Sequence, residues 1–288
     1  MKEIVIISGK GGTGKTSVTA ALASIAEKAV FADCDVDAAD LHLIFSPEII
    51  KRERFLSGNT AEIINEECTS CGVCQNHCRF DAIYLHNQNY VINPAFCEGC
   101  GVCSYVCPAQ AIRLNQRDCG EWFVSKTRFG TLVHAKLGIG AENSGKLVSL
   151  VRKEARELAK KENIELIIID GPPGIGCAVI SSITNSNAVI VVTEPTLSGI
   201  NDLERVLSLT NHFKIKTFVI VNKYDINYEM SKIIEEKAIS AGAKILPFLP
   251  FDKDFTKAQI EGKNIVEYGS EILTNKLKTI WRQLWENM

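Results

Sequence analysis

No stretch of the 288-residue chain approaches the ~20 consecutive apolar residues that a membrane-spanning helix needs. The N-terminal run MKEIVIISGKGGTGKT lacks the pattern of a secretory signal, because its apolar stretch is short and leads into a Gly/Lys loop instead of a small-residue cleavage site. Nor does one sign of charge dominate: 32 Lys and Arg stand against 34 Asp and Glu, a net charge of −2. The basic field that would favour nucleic acid is absent, so no nucleic-acid partner is expected. No long low-complexity linker interrupts the chain. Cysteine, by contrast, is abundant, with eleven residues, and two dense groups fall between Cys68 and Cys107. In a secreted chain such density could mean disulfides. Beside the nucleotide-binding pattern below, which suits the cell interior, metal or cluster ligation and a cytoplasmic location are the expectation. At 46% hydrophobic, the chain can bury a large α/β core, or one core plus a small insert.

Short apolar runs at residues 3–7, 29–32, 165–169, 188–192, 217–221 and 243–246 read as strands. Helical spacings separate several of them, at 16–29 and 146–161. This alternation predicts an α/β fold with a mainly parallel central sheet flanked by helices. From about Ala61 to Asn115 the grammar breaks into a Cys-rich stretch of short elements with no long helix, the only strong internal repeat. It reads as an insert, giving domains at 1–60, 61–115 and 116–288. Residues 118–140 show no clear period.

Gly9-Lys10-Gly11-Gly12-Thr13-Gly14-Lys15-Thr16 matches G-x-x-x-x-G-K-S/T, after an expected strand and before an expected helix. Glycines let backbone N–H groups wrap a phosphate, and the helix N-terminus adds positive potential. Lys15 is expected to reach the β- and γ-phosphates and Thr16 to ligate Mg²⁺, with Ser17 closing the nucleotide-binding run. Asp33, Asp35, Asp37 and Asp40 follow the second strand, at the sheet end where α/β proteins bind ligands. Asp37 and Asp40 fit a metal or sensing role or simple helix capping. Ile167-Ile168-Ile169-Asp170 ends another apolar strand, so Asp170 is expected to hold the Mg²⁺ shell, and the Gly174 amide could sense the γ-phosphate. Asn222 ends a further strand as a candidate base contact, with Pro250 and Phe251 as candidate packing against the base. The string Asn222-Lys223-Tyr224-Asp225 also fits the guanine signature N-K-x-D, which leaves ATP and GTP both open on residues alone.

The two cysteine groups are Cys68-x2-Cys71-x2-Cys74-x3-Cys78 and Cys97-x2-Cys100-x2-Cys103-x3-Cys107-Pro108. Three thiolates on one tight loop and a fourth further on suit a cubane, whose four irons each take one sulfur. Zinc and disulfides compete, but structural zinc usually takes paired C-x2-C ligands from two separate knuckles, a poor fit here. Cys34, Cys119 and Cys177 are read as buried, inert thiols, with a redox or bridging role as the alternative for Cys34 and Cys177.

The loop K-G-G-x-G-K-T resembles the deviant Walker A of the MinD, ParA and nitrogenase-iron-protein superfamily. The stretches 134–148 and Asp170–Cys177 look like members of that superfamily carrying an inserted ferredoxin domain, although Ala178 stands where that group often has Pro. The resemblance implies a P-loop ATPase fold over nearly the whole chain, ATP and ADP as ligands, and Asp35 as the residue that orients and deprotonates the attacking water while facing Mg²⁺. It implies that Lys10 crosses to the nucleotide of a second copy, hence an ATP-dependent homodimer. The insert resembles bacterial two-cluster ferredoxins, in which the fourth Cys of each group ligates the other cluster. That implies one [4Fe–4S] on Cys68, Cys71, Cys74 and Cys107, and another on Cys78, Cys97, Cys100 and Cys103. Arg79 departs from the Pro often found there.

Two functions follow from this resemblance. One is an ATPase that couples nucleotide state to electron transfer or metallocluster delivery on a redox or metallocluster partner. The other is an ATP-switched positioning scaffold with redox-sensing clusters. For the scaffold, Leu273, Leu277, Ile280, Trp281 and Leu284 form a helical face that fits either a membrane surface or packing on the sheet. His134, Glu142, Asn143 and Ser144 fit either ligand contact or loop packing.

Overall fold

A computed structural model describes residues 1–138, 141 and 144–288. Glu142 and Asn143 lie outside the described residues. The chain divides into two compact units, Met1–Glu53 with Glu121–Leu137 and Ser144–Met288, and Arg54–Gly120 with Gly138–Asn143.

In chain order the elements begin with β1 (Lys2–Ser8), α1 (Lys15–Ile25), β2 (Val30–Asp33), α2 (Leu41–Phe45) and β3 (Glu48–Ile63). Next come α3 (Val73–His77), β4 (Ile83–His86), β5 (Asn89–Ile92), α4 (Val102–Val106), β6 (Ile112–Thr127) and β7 (Gly130–Leu137). The remainder is α5 (Ser144–Lys161), β8 (Leu166–Pro173), α6 (Cys177–Ile183), β9 (Ala188–Thr193), α7 (Leu197–His212), β10 (Lys216–Val221), α8 (Tyr228–Ser240), β11 (Lys244–Ile245), α9 (Asp254–Ile260), α10 (Ile265–Tyr268) and α11 (Glu271–Asn287).

Among the described residues one sheet has nine strands in the order β11-β10-β9-β1-β8-β2-β7-β6-β3. From β11 through β7 every neighbouring pair is parallel. Parallel strands buried on both faces read as continuous apolar runs, and β1, β8, β9 and β10 are of that kind. The chain leaves β1 toward β2 on one side and crosses to β9 on the other, so a ligand crevice opens at the C-terminal end of β1. Against the periodicity, α1 stops at Ile25, where Ala26 turns extended.

Strands β3 and β6 were not legible as strands. Residues 48–54 of β3 are exposed on both faces and carry Lys51, Arg52, Glu53 and Arg54, so no alternation marks them. The chain passes between the two units within β3 and β6.

Helix α11 decides between the two readings of its apolar face. Leu273, Leu277, Ile280 and Leu284 are at most 1% exposed and pack in the core with Ile4, Ile6 and Ala188. Its apolar face is spent on that core, so the membrane-surface reading of this helix is withdrawn. The core also encloses an ion pair, in which Glu3 of β1 accepts from Arg152 and Arg156 of α5. Burial opposes ionisation of Glu3, but the two guanidiniums outweigh it and hold the carboxyl below its usual range.

In the second unit β4 and β5 form an antiparallel hairpin, and α3 and α4 are each preceded by a left-handed glycine. Left-handed residues recur at matching places in the two halves: Ser70 with Gly99, Gly72 with Gly101, Asp81 with Gln110. At Gly99, φ is +63° and a Cβ would lie 2.0 Å from the Asn59 carbonyl oxygen, so only glycine lets the loop close there.

Candidate active site

The crevice is built from the C-terminal ends of adjacent strands. The phosphate loop follows β1, and pairing register sets Asp170 of β8 beside both Ile6 of β1 and Asp33 of β2. Gly14 has φ of +91°, and a Cβ on it would meet Asn222 Nδ2 at 2.4 Å, so its glycine is dictated by both backbone and neighbour.

Asp170 is fully buried, and its carboxylate accepts from Lys15 Nζ at 2.9 Å, from Thr16 Oγ1 at 2.8 Å and from Thr19 Oγ1 at 2.7 Å. Asp35 Oδ2 lies 3.3 Å from Lys15 Nζ. Burial works against the Lys15 charge, but Asp170, Asp35 and Asp33 outweigh it and hold its pKa above the ordinary lysine value. Burial pushes Asp35 above the usual carboxylate range, with Lys15 opposing. Asp33, burial-driven and beside Asp170, is pushed up further. Three acidic side chains thus surround one ammonium. Among the described residues the buried Thr13 hydroxyl has no hydrogen-bond partner, as fits a loop whose acceptor is a phosphate.

The structure brings together Lys15, Thr16, Asp35 and Asp170 as expected from sequence. Other residues differ. Asp37 and Asp40 are exposed, and Asp40 makes no side-chain cap on α2. The Gly174 amide donates to the Ser8 carbonyl at 2.8 Å, so a phosphate-sensing role requires that bond to break. Asn222 is buried under the loop, with Nδ2 donating to the Thr13 carbonyl at 2.8 Å. Phe251 is half exposed, and its amide donates to Asp225 Oδ1 at 2.6 Å.

Lys10 sits on its own chain, 2.7 Å from Glu194 Oε1, and donates to Ser198 Oγ at 2.8 Å. Lys223 Nζ meets the other Glu194 oxygen at 2.9 Å and donates to the Gly12 carbonyl at 3.1 Å. Burial alone would raise the Glu194 pKa, but the two lysines pull it below its usual value. Glu194, Thr19 and Asp33 were missed as site residues. The signal for Glu194 was available: it directly follows the apolar strand β9, at the same sheet end as the other acidic groups.

His134 on β7 packs between Phe123 and His42, with Nε2 2.9 Å from Ser125 Oγ, so it is a packing residue. Burial first, and His42 second, push its pKa down to about 4. The unfolded value is near ~6.5, so below that pH the unfolded chain binds a proton that the folded one refuses. Stability is therefore expected to fall by about 3 kcal/mol between roughly pH 6.5 and pH 4 from this residue. Urea titrations should show that loss, and His134→Gln should flatten it.

Of the remaining thiols, Cys34 is fully buried and burial pushes it well above its ordinary value. Cys119 is buried and donates to the Ser57 carbonyl at 3.1 Å. Cys177 corrects the sequence reading: it is exposed at the start of α6, where the chain leaves the Gly174-Ile175-Gly176 turn.

In the second unit one cavity is lined by Cys68, Cys71, Cys74 and Cys107, and another by Cys78, Cys97, Cys100 and Cys103. Backbone amides of Ala61 and Ala111 donate to Cys97 Sγ at 3.5 Å and Cys107 Sγ at 3.4 Å. Burial pushes the Cys74 and Cys103 thiols up, and neighbouring thiols add to it. Among the described residues no group of three or more His, Cys, Asp or Glu is gathered so as to hold a single metal ion.

Residues 4–265 match the family model of the CobQ/CobB/MinD/ParA nucleotide-binding domain. The chain belongs to this family of P-loop ATPases. It is 36% identical to an uncharacterised protein of Methanocaldococcus jannaschii, over 99% of this chain and 96% of that one. It is 26% identical to the septum site-determining protein MinD of Synechocystis, over 76% of this chain and 64% of that protein. In fold it is similar to MinD of Pyrococcus horikoshii solved with Mg-ADP, with a TM-score of 0.60, 20% identity, and coverage of 98% of this chain and 95% of that one. The family shares the α/β fold and the phosphate loop, and its MinD and ParA members hydrolyse ATP.

Proposed function

We propose that this chain is a Mg²⁺-dependent ATPase in which nucleotide state governs electron transfer through two [4Fe–4S] clusters, or the handing of a metallocluster to a partner protein. The observation that carries the cluster reading is the pair of cavities, each lined by four cysteines, three from one sequence group and one from the other. Interleaved lining is what two-cluster ferredoxin ligation requires. Structural zinc usually takes paired C-x2-C ligands from two separate knuckles, which fits the repeated Cys-x2-Cys-x2-Cys-x3-Cys spacing poorly. On this reading the chain carries an ATPase at 1–60 and 116–288 and a ferredoxin insert at 61–115.

Bound Mg²⁺ would neutralise phosphate charge, and bound clusters would supply one-electron carriers. Thr16, Asp35 and Asp170 are the residues to hold the metal ion. The loop amides and Lys15 bind the β- and γ-phosphates, and Asp35 takes the proton of the attacking water. Lys10 reaches the nucleotide of a second copy once Glu194 releases it, so the working unit is a homodimer. The protein works in the cytoplasm, and its protein partner is redox-active or cluster-accepting.

A second reading is favoured by the likeness to MinD: an ATP-switched positioning scaffold with redox-sensing clusters. Anaerobic protein separates the two. Coupling predicts that ATP, against ADP, changes the accessibility of iron to a chelator and the cluster potentials. No nucleotide effect on either, with ATP-dependent partner binding surviving cluster loss, would decide for the scaffold.

A further inference from the structure

Asp33 is the last residue of β2 and is fully buried. One carboxylate oxygen accepts from the Asp35 amide at 3.1 Å, and the other accepts from the Leu41 amide at 3.2 Å. The segment between them is the loop that carries Asp35. Its two ends are therefore tied to one side chain. The sheet anchors that side chain in turn: register places Asp33 beside Asp170 on β8 and His134 on β7, and the Cys34 amide donates to the Asp170 carbonyl at 2.7 Å.

Such a carboxylate is costly to bury, more so next to Asp170 and Asp35. Its position is offset by the two amides and by the Lys15 charge, which also faces Asp33. Asp37 and Asp40 in the same acidic run are exposed, so solvation explains them and not Asp33.

We propose that Asp33 is a positioning residue for ATP hydrolysis: its carboxylate clasps both ends of the 34–41 loop and so holds the Asp35 carboxylate against Lys15. The inference rests on the ATPase reading of this site. The clasp needs two acceptor oxygens. Asparagine offers one, and its amide N–H₂ would oppose the other backbone N–H. Asp33→Asn therefore frees one end of the loop while the phosphate loop itself is untouched.

The expected result is a fall in kcat of about 10²-fold, the scale that a displaced catalytic group costs, with the Kd for ATP unchanged. Hydrogen exchange at the Asp35 or Leu41 amide should quicken, while β1 amides keep their protection. Mn²⁺ affinity, read by electron paramagnetic resonance, should fall by much less than kcat, because Thr16 and Asp170 still face the ion when Asp35 is displaced. Unchanged kcat would overturn the clasp. A loss of Mn²⁺ affinity matching the loss of kcat would overturn it too, because Asp33 would then be a metal ligand. Should Asp33→Asn fail to fold, replacing Leu41 by its α-hydroxy acid removes one donor and no side chain. That variant should show the same split between kcat and Kd, and normal turnover in it would sink the proposal. A wild-type protein that binds ATP without hydrolysing it would instead remove the ATPase reading beneath.

Discussion

Lys15→Ala is expected to lower ATP turnover by on the order of 10³-fold, and to change the stability of the protein as well. The first effect follows from the loop: Lys15 is the buried cation aimed at the crevice, 2.9 Å from Asp170 and 3.3 Å from Asp35. Charge developing on a transferred phosphoryl group would lose its fixed counter-charge. The second effect follows from what remains. Without the ammonium, Asp33, Asp35 and Asp170 face one another in a buried site, and removing one partner of a buried charged group costs about 3–5 kcal/mol. Mg²⁺ should recover part of that loss. The check is a pair of melting curves with and without Mg²⁺, beside steady-state phosphate release. Lys15→Ala that hydrolyses ATP at the wild-type rate would refute the site assignment.

On the proposed two-cluster reading, Cys107→Ser is expected to remove about half of the bound iron from anaerobically prepared protein, because each cavity would then serve one cluster. The informative comparison is between double variants. Cys68→Ser with Cys107→Ser strikes one cavity twice, so the pair should cost no more iron than Cys107→Ser alone. Cys68→Ser with Cys78→Ser strikes both cavities and should leave none. Groups acting on a shared site are non-additive, and groups on separate sites add. Sequential ligation, four cysteines from each sequence group, predicts the reverse pattern: Cys68→Ser with Cys107→Ser would then empty both. Iron and acid-labile sulfide per chain are the measurements.

Much of the site was legible because local chemistry dictates it. A phosphate loop needs glycines at left-handed positions, and Gly12 and Gly14 take them. A parallel strand buried on both faces must be apolar, so β1, β8, β9 and β10 stood out, and their C-terminal ends pointed to Asp170 and Asn222. The cysteine spacing likewise set three thiols of each group close together in the chain.

What was not legible depended on neighbours distant in sequence. Lys10 and Lys223 lie far from Glu194 along the chain, yet both close on its carboxylate. Exposed β3 has no periodicity to read, because neither face of residues 48–54 is buried. Whether the apolar face of α11 met lipid or protein was undecided until it lay in the core.

The sequence by itself determined that this chain carries a nucleotide-binding α/β core and a repeated cysteine module, because glycine, apolar and thiol spacings are local requirements. Tertiary structure alone decided where Lys10 is held, and that Asp33 is buried with two backbone amides on its carboxylate while Asp37 and Asp40 are exposed. Those outcomes are set by strand register and burial, which join residues that no local pattern connects.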